Sequence, residues 1–242
     1  MNQNQFQVGV IKPVECMKEA WELIKPDYWL LFAITIVGAM IGGATMYILL
    51  GAMMCGMIFC YLRRIDGHAV DFNGLWKGFQ WWLPGLIVGL IMFVPMFVVY
   101  LILYVPFIAA MVMGSKLSEG ELMGLLGGAF AVDLVVIIVM VCFHTLLMFS
   151  FPLIVDRNLG AFAAMRLSAR AVWKNLGGVA GLYGVGFALS LVGLLAACVG
   201  IYFVIPIILA GNMLAYRKIF PALGQSNFPP APSSFENAGS YR

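Results

Sequence analysis

Four long apolar runs, bounded by charge and, for three of them, free of charge within, dominate this chain: Tyr28–Leu62, Trp81–Met113, Leu122–Val155 and Leu176–Tyr216. Only Asp133 and His144 interrupt the apolar character of the third. Crossing a hydrocarbon core of about 30 Å takes roughly 20 helical residues. Each run is therefore long enough for at least one transmembrane helix. The composition excludes a water-soluble alternative, with 63% hydrophobic and 10% charged residues. Soluble domains carry about 45–50% and about 25%, and a globule of this size could not hide the excess from water.

Charge placement decides how many times each run crosses. Lys12, Lys18 and Lys25 precede the first run, and Arg63 and Arg64 follow it. The last run lies between Arg166, Arg170, Lys174 and Arg217, Lys218. Basic flanks on both sides favour an even number of crossings, because cytoplasmic loops collect Lys and Arg. Gly42-Gly43 and Cys198-Val199-Gly200 are the natural turns. The loop Gly114–Glu121, where Glu119 and Glu121 outweigh Lys116, suits the outer side. The expectation is an all-α membrane protein, a six-helix bundle with both termini cytoplasmic. The approximate spans are 29–43, 45–62, 82–106, 133–155, 177–197 and 200–216. Eight helices, with a break at Pro95, is the alternative. A single tilted helix competes for the first run.

Residues 1–220 read as one membrane domain. Met1–Val8 has no basic, signal-like character, so the first apolar segment is expected to be its own insertion signal. Residues 221–242, rich in Pro, Ser, Asn and Gly, read as a disordered cytoplasmic tail. The five cysteines lack C-x-x-C spacing, which argues against a disulfide framework or a zinc site.

The ends of the chain are alike. Cys16-Met17-Lys18-Glu19-Ala20 aligns with Ala164-Met165-Arg166-Leu167-Ser168, and Gly56–Ile65 aligns with Gly211–Ile219 with one gap. Each unit reads as an amphipathic segment, a helical hairpin and a basic stop, and residues 75–157 follow the same plan. Three parallel hairpin repeats around an axis along the membrane normal would result. In the first amphipathic segment Val14, Met17, Trp21, Ile24 and Tyr28 share a face; in the third, Phe162, Met165, Ala169 and Val172 do. Arg166, Arg170 and Lys174 form a basic stripe at i, i+4, i+8, the candidate site for anionic lipid headgroups. The competing reading is that these cations only hold the loops inside.

Asp133 and His144 are the ionisable residues within a span, and such residues are functional candidates by default. Eleven residues apart, they share a helical face and could serve a polar path. The plainer readings are that Asp133 caps the outer end of the fourth helix and that His144 is a packing residue. Gly177, Gly181, Gly184 and Ala188 form a small-residue stripe suited to close helix contact.

The run Phe151-Pro152-Leu153-Ile154-Val155-Asp156-Arg157, followed by Ala164, Ser168 and Asn175-Leu176, resembles a recurrent pattern in bacterial multi-pass proteins. They belong to the group similar to the membrane domain of glycerophosphoryl diester phosphodiesterases. Phe72-Asn73-Gly74-Leu75-Trp76-Lys77-Gly78-Phe79 resembles its earlier amphipathic element. The resemblance covers most of residues 10–220. It implies a six-helix bundle in a bacterial inner membrane and no activity, since that domain is not the catalytic one. No H-E-x-x-H, G-x-S-x-G or paired acidic motif lies in a span. The expectation is a non-enzymatic protein without cofactor, metal or nucleic acid, whose partners are membrane lipids and, in one reading, further copies of itself. A small transporter or channel with a path near His144 is the alternative function.

Overall fold

The computed structural model describes residues 6–45, 48–113, 118–195 and 199–222. Among them the only regular elements are helices: α1 Pro13–Ile24, α2 Tyr28–Ala44, α3 Leu50–Ile65, α4 Trp82–Met113, α5 Glu119–Leu146, α6 Ser150–Arg157, α7 Ala161–Lys174, α8 Leu176–Leu195 and α9 Gly200–Ile219. Two 3-10 segments, Lys25–Asp27 and Phe72–Trp81, lead into α2 and α4. Among the described residues, five stretches are long and apolar enough to cross a membrane: Pro13–Ala44, Phe72–Ile102, Leu126–Arg157, Leu176–Leu195 and Gly200–Ile219. The sequence suggested six. The difference is α3, whose 16 residues rise only about 24 Å.

Among the described residues, three successive helix pairs run antiparallel: α2–α3, α4–α5 and α8–α9. Along α2 and α3 the opposed residues are Gly42 and Leu50, Gly38 and Met57, then Thr35 and Tyr61. Asp27 and Arg64 close the pair with an ion pair of 2.9 Å. Tyr104 meets Asp133 between α4 and α5, and Gly186 lies against Ile208 between α8 and α9.

α3 is the hub. It packs on α2, α4, α6, α9 and the long 3-10 helix, and most of its residues from Gly51 to Leu62 are buried. Glycines permit this. A Cβ on Gly56 would run into the Leu75 carbonyl, and one on Gly78 would stand 2.5 Å from the Gly56 amide nitrogen. Backbone therefore lies directly on backbone. Runs of 3-10 helix beyond three or four residues are uncommon, yet this one has ten. Its three-residue turn stacks Phe72, Leu75, Gly78 and Trp81 on one side, and Leu75 and Gly78 are buried there against α3. Deeper in the α2–α3 pair, the Thr35 hydroxyl donates to the Leu31 carbonyl and is joined to the Tyr61 hydroxyl, both at 2.7 Å. A buried polar pair is thus satisfied.

Several expectations need correction. α4 runs unbroken through Pro95, so the eight-helix alternative loses its break. α5 begins at Glu119, inside the expected outer loop, and not at Asp133. Its start carries a capping box: the Ser118 amide and hydroxyl donate to Glu121 at 2.9 and 2.8 Å, and the Glu121 amide donates back to the Ser118 hydroxyl. Those donors hold the Glu121 carboxyl below its ordinary value. The helix does break ahead of Pro152, but at Leu147–Phe149, leaving Pro152 in the first turn of α6 where its missing N–H is harmless. The turn expected at Cys198 and the tail beyond Ala222 lie outside the described residues, as does Lys116.

The glycine stripe of α8 is also divided. Gly177 and Gly184 face open space, whereas Gly178 and Gly181 are pressed against Ile11 and Pro13. The close neighbour of α8 at this point is thus the N-terminal segment.

Candidate functional site

α7 presents the basic stripe. Asn158 reverses the chain after α6 with φ of 51°, a left-handed conformation that Asn tolerates better than most residues. α7 then buries Ala161, Ala164, Met165, Leu167, Ser168, Ala171 and Val172. Ser168 ties this face to the break between α5 and α6. Its hydroxyl donates to the Leu146 carbonyl at 2.7 Å and accepts from the Phe149 amide at 3.1 Å. Both backbone groups are ones the interrupted helix would leave unpaired. At the other end Asn175 fastens the N-terminal segment, accepting from the Gly9 amide and donating to the Gln7 and Ala171 carbonyls.

The opposite face is free. Arg166, Arg170 and Lys174 are all exposed, and none forms an ion pair among the described residues. Lys174 lies over the Phe6 ring, 5.8 Å from its centre. Phe162 and Trp173 stand beside the cations, 63% and 68% exposed. Phe162 and Val14 of α1, which share the apolar faces of their helices with the buried Met165 and Met17, are both exposed. The exposed face of α7 thus combines aromatic rings with cations.

Asp133 and His144 both lie on α5, far from its ends in the first case and near its last turn in the second. Asp133 is fourteen residues into the helix, so it is not an end cap. It accepts a hydrogen bond of 3.2 Å from the Tyr104 hydroxyl, and Tyr104 stacks on Tyr100 at 4.5 Å. A groove of about 220 Å³ opens beside them, walled by Phe93, Met96, Phe97 and Ile137. His144 is hydrogen-bonded through Nδ1 to the Met140 carbonyl at 2.8 Å. It lines a second groove of about 630 Å³ with Met140, Tyr183 and Phe187. Met96 and Ile137 border both grooves, so the two polar residues are separated by apolar side chains and share no polar contact.

A third constellation escaped sequence reasoning. Arg217, at the end of α9, grips Asp66 with two hydrogen bonds of 2.8 and 2.7 Å and reaches Asp156 of α6 at 2.8 Å. The Tyr216 hydroxyl donates to the other Asp156 oxygen at 2.7 Å. Arg157 lies over the Phe220 ring, 4.9 Å from its centre. Arg217 and Asp156 are 11% and 12% exposed. The ends of α3, α6 and α9 are therefore locked together by a nearly buried ionic network. Nothing in the sequence pattern names Arg217 as the partner of Asp156, 61 positions earlier in the chain. Lys218 also pairs with Glu19 of α1 at 2.6 Å.

Among the described residues, no group of three His, Cys, Asp or Glu side chains could hold a metal ion. No family model, curated protein or solved structure matches the chain.

Proposed function

We propose that this protein is a non-enzymatic inner-membrane protein that binds and organises anionic lipid through its interfacial basic face. The observation that carries the reading is the outward face of α7. Arg166, Arg170 and Lys174 stand exposed beside the exposed rings of Phe162 and Trp173. Cations reach lipid phosphate while aromatic rings suit the headgroup boundary. If the charges served topology alone, the aromatic companions would need no such arrangement.

The architecture that accompanies this reading has six crossings arranged as three hairpins, with both termini cytoplasmic. Support comes from the element order, in which α1, the long 3-10 helix and α7 each precede an antiparallel pair. The packing adds to it: α1 lies on α8 and α9, the 3-10 helix on α3 and α2, and α7 on α4, α5 and α6. Each amphipathic segment thus rests on the hairpin of the unit before it, taken cyclically. A sixth crossing by α3 is compatible with its length because protein surrounds it on most sides. Hydrophobic mismatch penalises the lipid-facing surface, and a central helix has little of that. The resemblance to the membrane domain of glycerophosphoryl diester phosphodiesterases implies the same six-helix plan.

The test is flotation of the full chain, reconstituted in phosphatidylcholine vesicles, with separate vesicles rich in phosphatidylglycerol. Arg166→Gln, Arg170→Gln and Lys174→Gln together should sharply reduce capture of the anionic vesicles, with the thermal melt unchanged. Undiminished capture by the triple variant would sink the reading.

A further inference from the structure

A small cavity between the end of α3 and the 3-10 helix collects positive charge that the protein itself does not neutralise. It measures about 70 Å³ and is lined by Phe59, Cys60, Arg63, Asp71, Asn73 and Lys77, among others. One water needs roughly 10–15 Å³ of such space, so the cavity admits something larger. Arg63 and Lys77 both lie over the Phe59 ring, 5.7 and 5.2 Å from its centre. Neither forms an ion pair among the described residues, and the buried Arg63 Nε has no hydrogen-bond acceptor.

The one carboxylate in the lining, Asp71, is engaged sideways. Its Oδ2 accepts from the Asn73 side-chain amide at 3.1 Å, and it makes no ion pair with either cation among the described residues. Two cations against one carboxylate leave the lining with a net charge of +1. Like charges converging on one ring repel each other, and a buried guanidinium nitrogen without an acceptor is costly. An anion between them relieves both penalties.

The position of the cations is not left to flexible chain. Gly74 lies against the Cys60 sulfur, and Gly56 and Gly78 bring the two backbones into contact on either side of Leu75. Lys77 and Arg63 are therefore presented from two elements whose spacing is set by backbone contact. Such preorganisation lowers the cost of ordering a binding site.

We propose that Arg63 and Lys77 form a binding site for a single phosphate-bearing anion, with Asn73 at its rim. Its source is either a lipid phosphodiester or a soluble phosphate. The site stands on other elements than α7, so its failure and that of the lipid-face reading are separately visible.

The experiment uses the full chain in phosphatidylcholine nanodiscs and two probes, dihexanoyl phosphatidylglycerol and inorganic phosphate, titrated calorimetrically. Saturable binding of at least one probe is expected. Lys77→Gln should weaken it about tenfold or more, as loss of a charge-assisted contact does, while Lys77→Arg retains it. Lys77 is exposed, so this variant leaves the packing of α3 intact; Arg63→Gln serves as the second, with its melt recorded. Binding of the lipid alone assigns the bilayer as the source, and binding of inorganic phosphate assigns a soluble anion. No saturable binding of either probe, or an affinity in Lys77→Gln within tenfold of the native one, overturns the proposal.

Discussion

Replacing Gly56 by alanine should damage this protein more than its size suggests. A Cβ at this position would strike the Leu75 carbonyl oxygen and stand 2.8 Å from the carbonyl carbon. Both are backbone atoms of the 3-10 helix, which cannot turn aside as a side-chain tip can. Overpacking of a core costs about 1–3 kcal/mol, and separating the elements also loosens Leu75, whose complete burial is worth about 1.5–3 kcal/mol. Against this, alanine favours the helix over glycine by about 1 kcal/mol. The net loss is then at least about 1.5 kcal/mol. At about 2–4 °C per kcal/mol for a chain of this size, the melting temperature falls by at least about 3–6 °C. Thermal unfolding in mild detergent, followed by tryptophan fluorescence, reads this directly through Trp76 and Trp81 on the element displaced. Gly184→Ala is the control, since nothing stands within 4 Å of its added Cβ, and it should be neutral to within about 1 kcal/mol. A native melt for Gly56→Ala, or equal losses at both positions, would refute the idea that backbone contact fixes the 3-10 helix on α3.

Two further outcomes follow from the polar groups. Arg217→Gln strands Asp66 and Asp156 in a nearly buried setting and should cost about 3–5 kcal/mol, with Arg217→Lys recovering part, because an ammonium cannot serve two carboxylates in fork geometry. A melt of Arg217→Gln equal to the native one would contradict the network's structural role. At the start of α5, the Glu121 carboxyl is held low by the Ser118 amide and hydroxyl. The stabilisation it gives is present above the ordinary carboxylate value of 4.5 and disappears as pH falls through the depressed one. Hydrogen-exchange protection in the first turn of α5 should therefore decline only under strongly acidic conditions, and Ser118→Ala, which removes the hydroxyl and keeps the backbone amide donor, should weaken that dependence. An identical profile in the variant would count against the capping box.

What could be read in advance follows from which solvent each residue meets. Long uncharged runs have to be helical in lipid, where every backbone amide needs an internal partner. The period of the amphipathic segments was equally legible: Met17 and Ile24 of α1, and Met165 and Val172 of α7, are buried. The direction of an apolar residue was not. Val14 and Phe162 point outward, because in a membrane protein both the packed side and the lipid side accept hydrophobic groups. The Ser118-x-x-Glu121 signature was present in the sequence and would have moved the start of α5 away from Asp133. The 3-10 helix and the Arg217 network had no local signal. One rests on glycines of another element, and the other joins Asp66 and Arg217 across 151 positions.

The membrane path of α3 is the point on which the three-hairpin architecture stands. Single cysteines placed at Ile48, between α2 and α3, and at His68, after α3, in a background freed of native cysteines, can be tested with a membrane-impermeant maleimide on intact cells and after permeabilisation. Six crossings with both termini inside predict that Ile48→Cys reacts in intact cells and His68→Cys only once the membrane is opened. Labelling of both positions in intact cells would make α3 a re-entrant segment and reduce the crossings to five, and labelling of both only after permeabilisation would remove α2 and α3 alike; either result would contradict the three-hairpin arrangement.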